Sequence, residues 1–170
     1  MPERGVHLDA MDLKILDILQ RDASLAVADI ARAVGLSTTP CWRRIRRLEE
    51  IGVIRRRVAL LDGRKIGAGL TVFVSIKTGA HTHAGLEAFH AAVLAFPEVV
   101  SFYRMTGEVD YILRVLVPSI EAYDGFYKQL ISRIDAVEVS SAFAMEELRN
   151  ETALPLHYAR AGLAGDVDKA

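Results

Sequence analysis

The sequence has almost no cysteine and few aromatic residues. Its single cysteine, Cys41, excludes an intramolecular disulfide and a zinc site built from cysteines alone. Aromatic residues make up 7% of the 170 residues, so aliphatic side chains must fill the core. No run of about 18 uncharged apolar residues occurs, and the first residues contain no apolar segment of signal-peptide length. The sequence therefore predicts a soluble, cytoplasmic protein with no membrane partner.

The sequence also lacks the residue patterns that carry most enzymatic chemistry. It contains no glycine-rich phosphate loop, no nucleophile elbow and no clustered set of His, Cys and Asp. His81 and His83 could supply two metal ligands, but no third ligand is evident, and a solvated loop explains the pair. We therefore predict that the chain is not an enzyme, holds no metal and needs no cofactor.

Charge is divided unevenly along the chain. Residues 1–66 hold 13 Lys and Arg against 9 Asp and Glu, whereas the remaining residues hold 8 against 13. The net charge of -1 therefore conceals a basic half and an acidic half. Such a division indicates a nucleic-acid-binding half joined to a half with a different task.

Apolar residues in the basic half recur at helical spacing and predict three helices. The first apolar stripe lies over 11–19, the second over 27–34 and the third over 41–48. Gly35 suits a left-handed end to the second helix, and Ser37 suits the N-cap of the third. A helix, a Gly-Leu-Ser turn and a helix that opens with hydroxyl residues is the helix-turn-helix pattern.

The third helix has a basic side opposite its apolar face. In a major groove, early residues of a recognition helix reach base edges, and arginine can bond guanine through two hydrogen bonds. The segment 53–61 mixes β-forming residues with arginines and predicts a strand pair, or wing, that adds phosphate contacts. A solvated basic face is the simpler alternative. We predict double-stranded DNA as the partner, bound through Ser37, Thr38, Thr39, Trp42, Arg43, Arg46, Arg47, Arg55, Arg56 and Arg57.

Cys41 lies on the apolar side of the third helix, at i, i+4 and i+7 with Ile45 and Leu48. A redox-sensing thiol needs an exposed, electropositive position. We therefore predict that Cys41 is a small buried hydrophobic residue and not a sensor.

The acidic half alternates between strand and helix patterns after a glycine-rich linker at 62–70. The order β-α-β-β-α-β is that of the ferredoxin-like split unit. The predicted elements are Thr71–Lys77, Ala84–Phe96, Val99–Met105, Tyr111–Val117, Ser119–Ile134 and Val137–Met145.

The turn between the two middle strands is a candidate ligand site. Gly107 permits an unusual backbone angle and the close approach of a ligand. Glu108 and Asp110 could hold an ammonium group. An ordinary polar turn would have the same residues, so spacing alone leaves both interpretations open.

Several motifs resemble those of one protein family. LDAMDLKIL, VGLSTTPCWRRIRRLEEIGVI, GEVDYILRV and SSAFAMEELR, within residues 8–156, are similar to the leucine-responsive regulatory protein/AsnC family of transcription regulators. The resemblance implies an α+β chain with a winged helix-turn-helix domain and a ferredoxin-like effector domain. The predicted boundaries are 1–61 for the DNA-binding domain, 62–70 for the linker, 71–152 for the sensing domain and 153–170 for a tail.

The resemblance also implies partners and a ligand site. Family members form homodimers through the second domain, often assemble into octamers, and bind amino-acid effectors at contacts between dimers. Ala26 departs from the serine cap that relatives often have, so Ser24 can take that role. Carried over residue by residue, the effector site comprises Met105, Thr106, Gly107, Glu108, Asp110, Tyr111, Ser140 and Ser141.

TTPCWRRIRRLE, FYRMTGEVDY and YDGFYK resemble the subgroup that activates cysteine-detoxification genes in enteric bacteria, which implies L-cysteine as the effector. Two alternatives stand beside this interpretation. One is a global, nucleoid-like regulator that wraps DNA with little effector control. The other is an amino-acid-metabolising enzyme, against which the missing catalytic set argues.

Overall fold

The computed structural model describes residues 6–79 and 82–159, which form two compact units. The first unit combines residues up to Ala59 with the chain from Arg149 onward, and the second is Leu60–Leu148. His81, of the predicted histidine pair, lies outside the described residues, as do residues 160–170 of the predicted tail.

The first unit contains the three predicted helices. Asp9 caps the first of them, because its carboxylate accepts hydrogen bonds from the backbone N–H groups of Met11 and Asp12. The Asp12 carboxylate bonds back to the Asp9 N–H, which completes a capping box. The helices are α1 (Ala10–Leu19), α2 (Val27–Val34) and α3 (Thr38–Glu50).

The start of α2 shows whether Ser24 or Ala26 is its N-cap residue. Ala26 occupies the N-cap position and makes no side-chain capping bond. Ser24 does not replace it, because the Ser24 hydroxyl bonds the Asp22 carboxylate instead. Gly35 ends the helix in the left-handed conformation, with φ of 77°, as the sequence predicts.

The core of the first unit also includes the end of the described chain. Leu156 and Ala159 pack against the apolar faces of the three helices. The Gln20 side-chain amide donates to the Leu154 carbonyl and accepts from the Leu154 N–H. The described part of the predicted tail is therefore an ordered part of the helical unit.

The strand pair predicted over 53–61 is not formed. Val53 and Ile54 pack against the helical core, but residues 55–62 have no strand pairing within the described chain. The side chains of Val58 and Leu60 are exposed by 58% and 70%. The prediction failed because β-forming residues make a strand only where a neighbouring strand accepts their hydrogen bonds.

The second unit has the predicted βαββαβ order, and its four strands form one antiparallel sheet in the order β2-β3-β1-β4. Two predicted segments extend two residues too far at their C-terminal ends. The first helix of this unit ends at Leu94 instead of Phe96, and the last strand ends at Phe143 instead of Met145. The elements are β1 (Leu70–Thr78), α4 (His83–Leu94), β2 (Val99–Arg104), β3 (Tyr111–Val117), α5 (Ile120–Arg133) and β4 (Ala136–Phe143).

Alternation along the strands gives the sheet two different faces. Val74 and Leu113 pair across β1 and β3 and are fully buried, in the core that α4 and α5 share with the sheet. The intervening residues point to the other face, where Phe73 is 43% exposed and Tyr103 is 61% exposed. Among the described residues of this unit, no helix covers that face, which we call the open sheet face.

Candidate nucleic-acid interface and polar turn

The basic side of α3 is exposed, as its spacing predicts. Cys41, Ile45 and Leu48 are buried on the opposite side of the helix. The Trp42 side chain is 52% exposed, and the Arg46 guanidinium carbon lies 5.9 Å from the centroid of its ring. The exposed residues on this side of α3 and at its start are Ser37, Thr38, Thr39, Trp42, Arg43, Arg46 and Arg47.

The start of α3 suits an anion. Ser37 is the N-cap residue, but its hydroxyl makes no capping hydrogen bond within the described chain. Thr38 and Thr39 are exposed in the first turn, where the helix dipole is positive. A helix N-terminus with exposed hydroxyl groups is a suitable position for a phosphate.

The arginines of α3 fall into two groups by their partners. Arg43 makes no ion pair or hydrogen bond with any described residue, and Arg46 makes only a 3.4 Å contact with Glu49 on the same helix. By contrast, Arg44 and Arg47 reach across to the start of α1. The first group is therefore free for a ligand, whereas the second is already engaged.

A buried carboxylate accounts for that engagement. The Asp12 side chain is 2% exposed, and its Oδ1 and Oδ2 accept from Arg44 Nη1 at 2.7 Å and from Arg47 Nη1 at 3.2 Å. Arg44 Nη1 also lies 2.6 Å from Asp9 Oδ2, and Arg47 Nη2 donates to the His7 carbonyl at 2.9 Å. Sequence analysis missed this network. Its signal was the matching i, i+3 spacing of the two acids and the two arginines.

Electrostatics at Asp9 follow from the same contacts. Burial raises the pKa of its carboxyl, but hydrogen bonds from the Asp12 backbone and the Arg44 guanidinium outweigh that effect. The net result is a pKa below the ordinary value. Asp9 therefore stays ionised at neutral pH and stabilises the folded state above its ordinary pKa.

The predicted wing arginines are all exposed, and they differ in their contacts. Arg57 Nη2 donates to Glu49 Oε1 at 2.9 Å, which ties it to α3. Arg55 and Arg56 make no hydrogen bond or ion pair with a described residue. Those two side chains are available for phosphate contacts from an irregular segment instead of a strand.

Cys41 lies in the core of the helical unit and has no exposed surface. Burial raises the pKa of its thiol above the ordinary value, and the Arg44 guanidinium opposes the rise only in part. The thiolate is the reactive form of cysteine, so this side chain is inert at neutral pH.

The turn after β2 is exposed and closed by Asp110. The Met105 N–H donates to the Asp110 carbonyl at 2.8 Å, and the Asp110 N–H donates to the Ile76 carbonyl at 3.0 Å. The Asp110 carboxylate accepts from the Thr78 N–H at 2.9 Å, which fixes the end of β1. Gly107 has φ of 109°, a backbone angle that favours glycine.

The remaining predicted effector residues divide between the two faces of the sheet. Tyr111 is 2% exposed, and its hydroxyl lies 3.0 Å from His90 Nε2 on α4. The Ser141 hydroxyl hydrogen bonds to the Tyr123 hydroxyl on α5. Ser140 lies on the open sheet face, paired with Ser75. The structure thus brings 105–110 together, whereas Tyr111 and Ser141 face the helices and Ser140 faces the other side of the sheet.

Two negative observations concern other site classes. The described residues contain no group of three or more His, Cys, Asp or Glu side chains arranged to hold a metal ion. Over 6–79 and 82–159, no helix has the length and apolar character needed to cross a bilayer.

Comparison with protein families assigns both units. Residues 8–55 match the winged helix-turn-helix DNA-binding family, and residues 71–154 match the Lrp/AsnC ligand binding domain. The chain is 50% identical over 149 residues to the glutamate uptake regulatory protein of Zymomonas mobilis, covering 88% of this chain and 91% of that protein. It is 47% identical over 150 residues to the DNA-binding transcriptional activator DecR of Escherichia coli, covering 88% and 99%.

Solved structures agree with these relatives. An AsnC family transcriptional regulator from Agrobacterium tumefaciens is 61% identical, with a TM-score of 0.87 and coverage of 89% of this chain and 99% of that one. A transcriptional regulator from Neisseria meningitidis, solved as an L-Met complex, is 33% identical, with a TM-score of 0.86 and coverage of 90% and 99%. These relatives are transcription regulators and not enzymes. The chain therefore belongs to the Lrp/AsnC family, as a DNA-binding transcription regulator with an amino-acid-binding domain.

Proposed function

We propose that this regulator binds specific DNA sequences through α3 and that a small amino acid controls its binding. The observation that supports specific binding most directly is the exposed side of α3, where Trp42 and Arg43 are free to meet base edges. Ser37, Thr38 and Thr39 at the helix start bind phosphate, and Arg46 and Arg47 flank the groove. Arg55, Arg56 and Arg57 add contacts to the DNA backbone.

The effector binds at the turn 105–110. A free amino acid presents an ammonium and a carboxylate. The exposed Glu108 has no partner among the described residues. The Asp110 carboxylate accepts a hydrogen bond from the Thr78 N–H through one of its oxygens, which leaves acceptor capacity for an ammonium. Gly107 lets the effector carboxylate approach backbone N–H groups. Ser140 lies on the open sheet face and completes the site only where another subunit approaches that face. Tyr111 and Ser141 face the helices, where they contact His90 and Tyr123, and they support the site from within the unit.

L-cysteine is the proposed effector, and the subgroup resemblance is its main support. Small and polar residues such as Thr106 and Gly107 suit a small ligand better than an aromatic one. The Neisseria relative bound L-Met in its solved structure, which supports the amino-acid class and not the particular side chain.

A second copy of the chain is the partner proposed for the open sheet face. That face exposes Phe73 and Tyr103. Arg114 is paired with Phe73 on β1 and with Ser101 on β2, and its buried Nε has no hydrogen-bond partner among the described residues. Burying a donor without an acceptor is unfavourable, and a facing subunit can supply both apolar cover and an acceptor. We infer a homodimer through this face that assembles further to an octamer in the cytoplasm.

Calorimetry tests the effector proposal. The full chain is titrated under reducing conditions with L-cysteine, L-methionine, L-glutamate and L-leucine, and DNA binding is then measured with and without each ligand. We expect L-cysteine to bind most tightly and to change the affinity for DNA. Tighter binding of another amino acid would overturn L-cysteine as the effector but would leave the protein an effector-controlled DNA-binding regulator. Absence of any effector response would favour the global DNA-wrapping alternative.

A further inference from the structure

A buried negative charge lies directly beneath the DNA-facing helix. Of the residues that the structure describes, Asp12 is the only charged one that is buried, at 1% exposure. A carboxylate in such a position is strongly unfavourable unless it is paired. Arg44 pairs with it at 2.7 Å and is itself only 33% exposed, so this partly buried pair links α1 to α3.

The second partner of Asp12 is different, because it belongs to the exposed basic side. Arg47 is 46% exposed, lies 3.2 Å from Asp12 Oδ2, and is held a second time by the His7 carbonyl at 2.9 Å. Both terminal nitrogens of its guanidinium are therefore held within the protein. A phosphate that recruits Arg47 fully must displace it from a buried carboxylate.

Arg43 provides a matched comparison one turn earlier on α3. Arg43 and Arg47 line the same cleft of about 530 Å³, together with Pro40 and Arg44. Arg43 has no partner among the described residues, whereas Arg47 has two. Arginine contacts to phosphate supply the salt-dependent, sequence-independent part of DNA affinity. An arginine already held within the protein should therefore contribute less to that part than a free one.

We propose that Asp12 is a positioning residue for DNA recognition, which restrains Arg47 from loose phosphate contacts and thereby favours specific over non-specific DNA. Asp12 does not touch DNA. It acts through Arg47, whose guanidinium it orients, while Arg44 pairs with the same carboxylate and ties α3 to α1.

Asp12→Asn tests this proposal in the full chain. The specific DNA is a duplex selected from a random pool by the parent protein, and the non-specific DNA is a scrambled duplex of equal length. We expect Asp12→Asn to steepen the slope of log K against log salt on scrambled DNA by about one and to raise its affinity there about fivefold to tenfold at 0.1 M salt. The ratio of specific to non-specific affinity then falls by a similar factor. A purely structural role would weaken both duplexes equally and leave the slope unchanged, which would overturn the proposal.

Two further variants separate the restraint from a general charge effect. Asp17→Asn removes an exposed acid from the same helix, paired only with Arg21 and Gln20, and should leave the specificity ratio unchanged. An equal loss of specificity in Asp17→Asn would overturn the proposal. Adding Arg47→Gln to Asp12→Asn should return the slope of log K against log salt on scrambled DNA to a value no steeper than that of the parent protein. If the slope stays as steep as in Asp12→Asn alone, Arg47 is not the restrained group.

If circular dichroism shows that Asp12→Asn does not fold, single substitutions of Arg43 and Arg47 test the same restraint. Arg43→Gln should then flatten the salt slope on scrambled DNA by about one. Arg47→Gln should flatten it by less than half as much, because its guanidinium is largely engaged. Equal losses for the two arginines would contradict the restraint.

Discussion

At the scale of single residues, Arg43 and Arg56 are both exposed and unpaired but lie in different surroundings. Arg43 projects from the first half of the recognition helix, and Arg56 lies in the irregular segment after it. We expect Arg43→Ala to cost about 1–3 kcal/mol on the specific site if the side chain reads a guanine. Arg56→Ala should weaken all sequences alike and reduce the salt slope by about one. Fluorescence anisotropy titrations on selected and scrambled DNA measure both effects. Equal loss on both duplexes for Arg43→Ala would remove its role in base readout.

Cys41 supports a second prediction at this scale. Because burial raises the pKa of its thiol, the thiolate fraction at a given pH is below that of a free cysteine. Alkylation at pH 8 should therefore be far slower in the folded protein than after unfolding. Cys41→Ser should retain the effector response and lose about 1–3 kcal/mol of unfolding free energy, since the serine hydroxyl becomes a buried polar group. Loss of the response in a folded Cys41→Ser would favour a thiol sensor.

Which residues of a helix are buried was predictable from the spacing within that helix. Which side chains pair between two helices was not. The buried face of α3 followed from spacing alone, because i, i+4 and i+7 positions share a side of any helix. The engagement of Arg44 and Arg47 by Asp12 depends on how α3 crosses α1, which the spacing within either helix does not contain. The contact between the Tyr111 hydroxyl and His90 was likewise not predictable from spacing, and the resemblance-based assignment of Tyr111 to the effector site stays a prediction.

At the scale of elements, strand patterns were reliable only where a partner strand exists. The alternation in 111–117 predicted β3 to the residue, because β1 and β2 flank it on both sides. The segment 53–61 also contains β-forming residues, yet it forms no strand in the described chain. The β-propensity of a residue therefore indicates how well it fits into an existing sheet, and it does not show that a sheet is present.

The turn 105–110 carries the prediction that belongs to this scale. Asp110→Ala removes the proposed ammonium partner and also the acceptor of the Thr78 N–H. We expect it to retain DNA binding, to lose effector binding, and to lower the free energy of unfolding by about 1 kcal/mol. Glu108→Ala is the matched control for an exposed acid on the same turn, and it should leave stability unchanged because it has no partner among the described residues. Calorimetry and thermal unfolding measure the two effects. A folded Asp110→Ala that cannot bind DNA would assign Asp110 a structural role and displace the proposed site.

At the scale of the whole molecule, the proposed dimer through the open sheet face has a consequence for DNA binding. Two helix-turn-helix units on one dimer reach successive major grooves on one side of DNA, so half-sites should lie about one helical turn apart or a multiple of it. A single copy has only one such unit and loses that second contact. Affinity for paired half-sites therefore depends on the sheet face, although that face contains none of the proposed DNA contacts.

Phe73→Asp tests this dependence, with Ile131→Asp as its control. Both side chains are 43% exposed, but Phe73 lies on the open sheet face and Ile131 on α5 in the helical layer. Light scattering should find the parent and Ile131→Asp at least dimeric at micromolar concentration, and Phe73→Asp monomeric, because a buried unpaired carboxylate opposes association. Phe73→Asp should also bind paired half-sites no better than a single half-site. A monomeric parent would exclude the dimer, and a Phe73→Asp variant that assembles like the parent would place the interface elsewhere on the molecule.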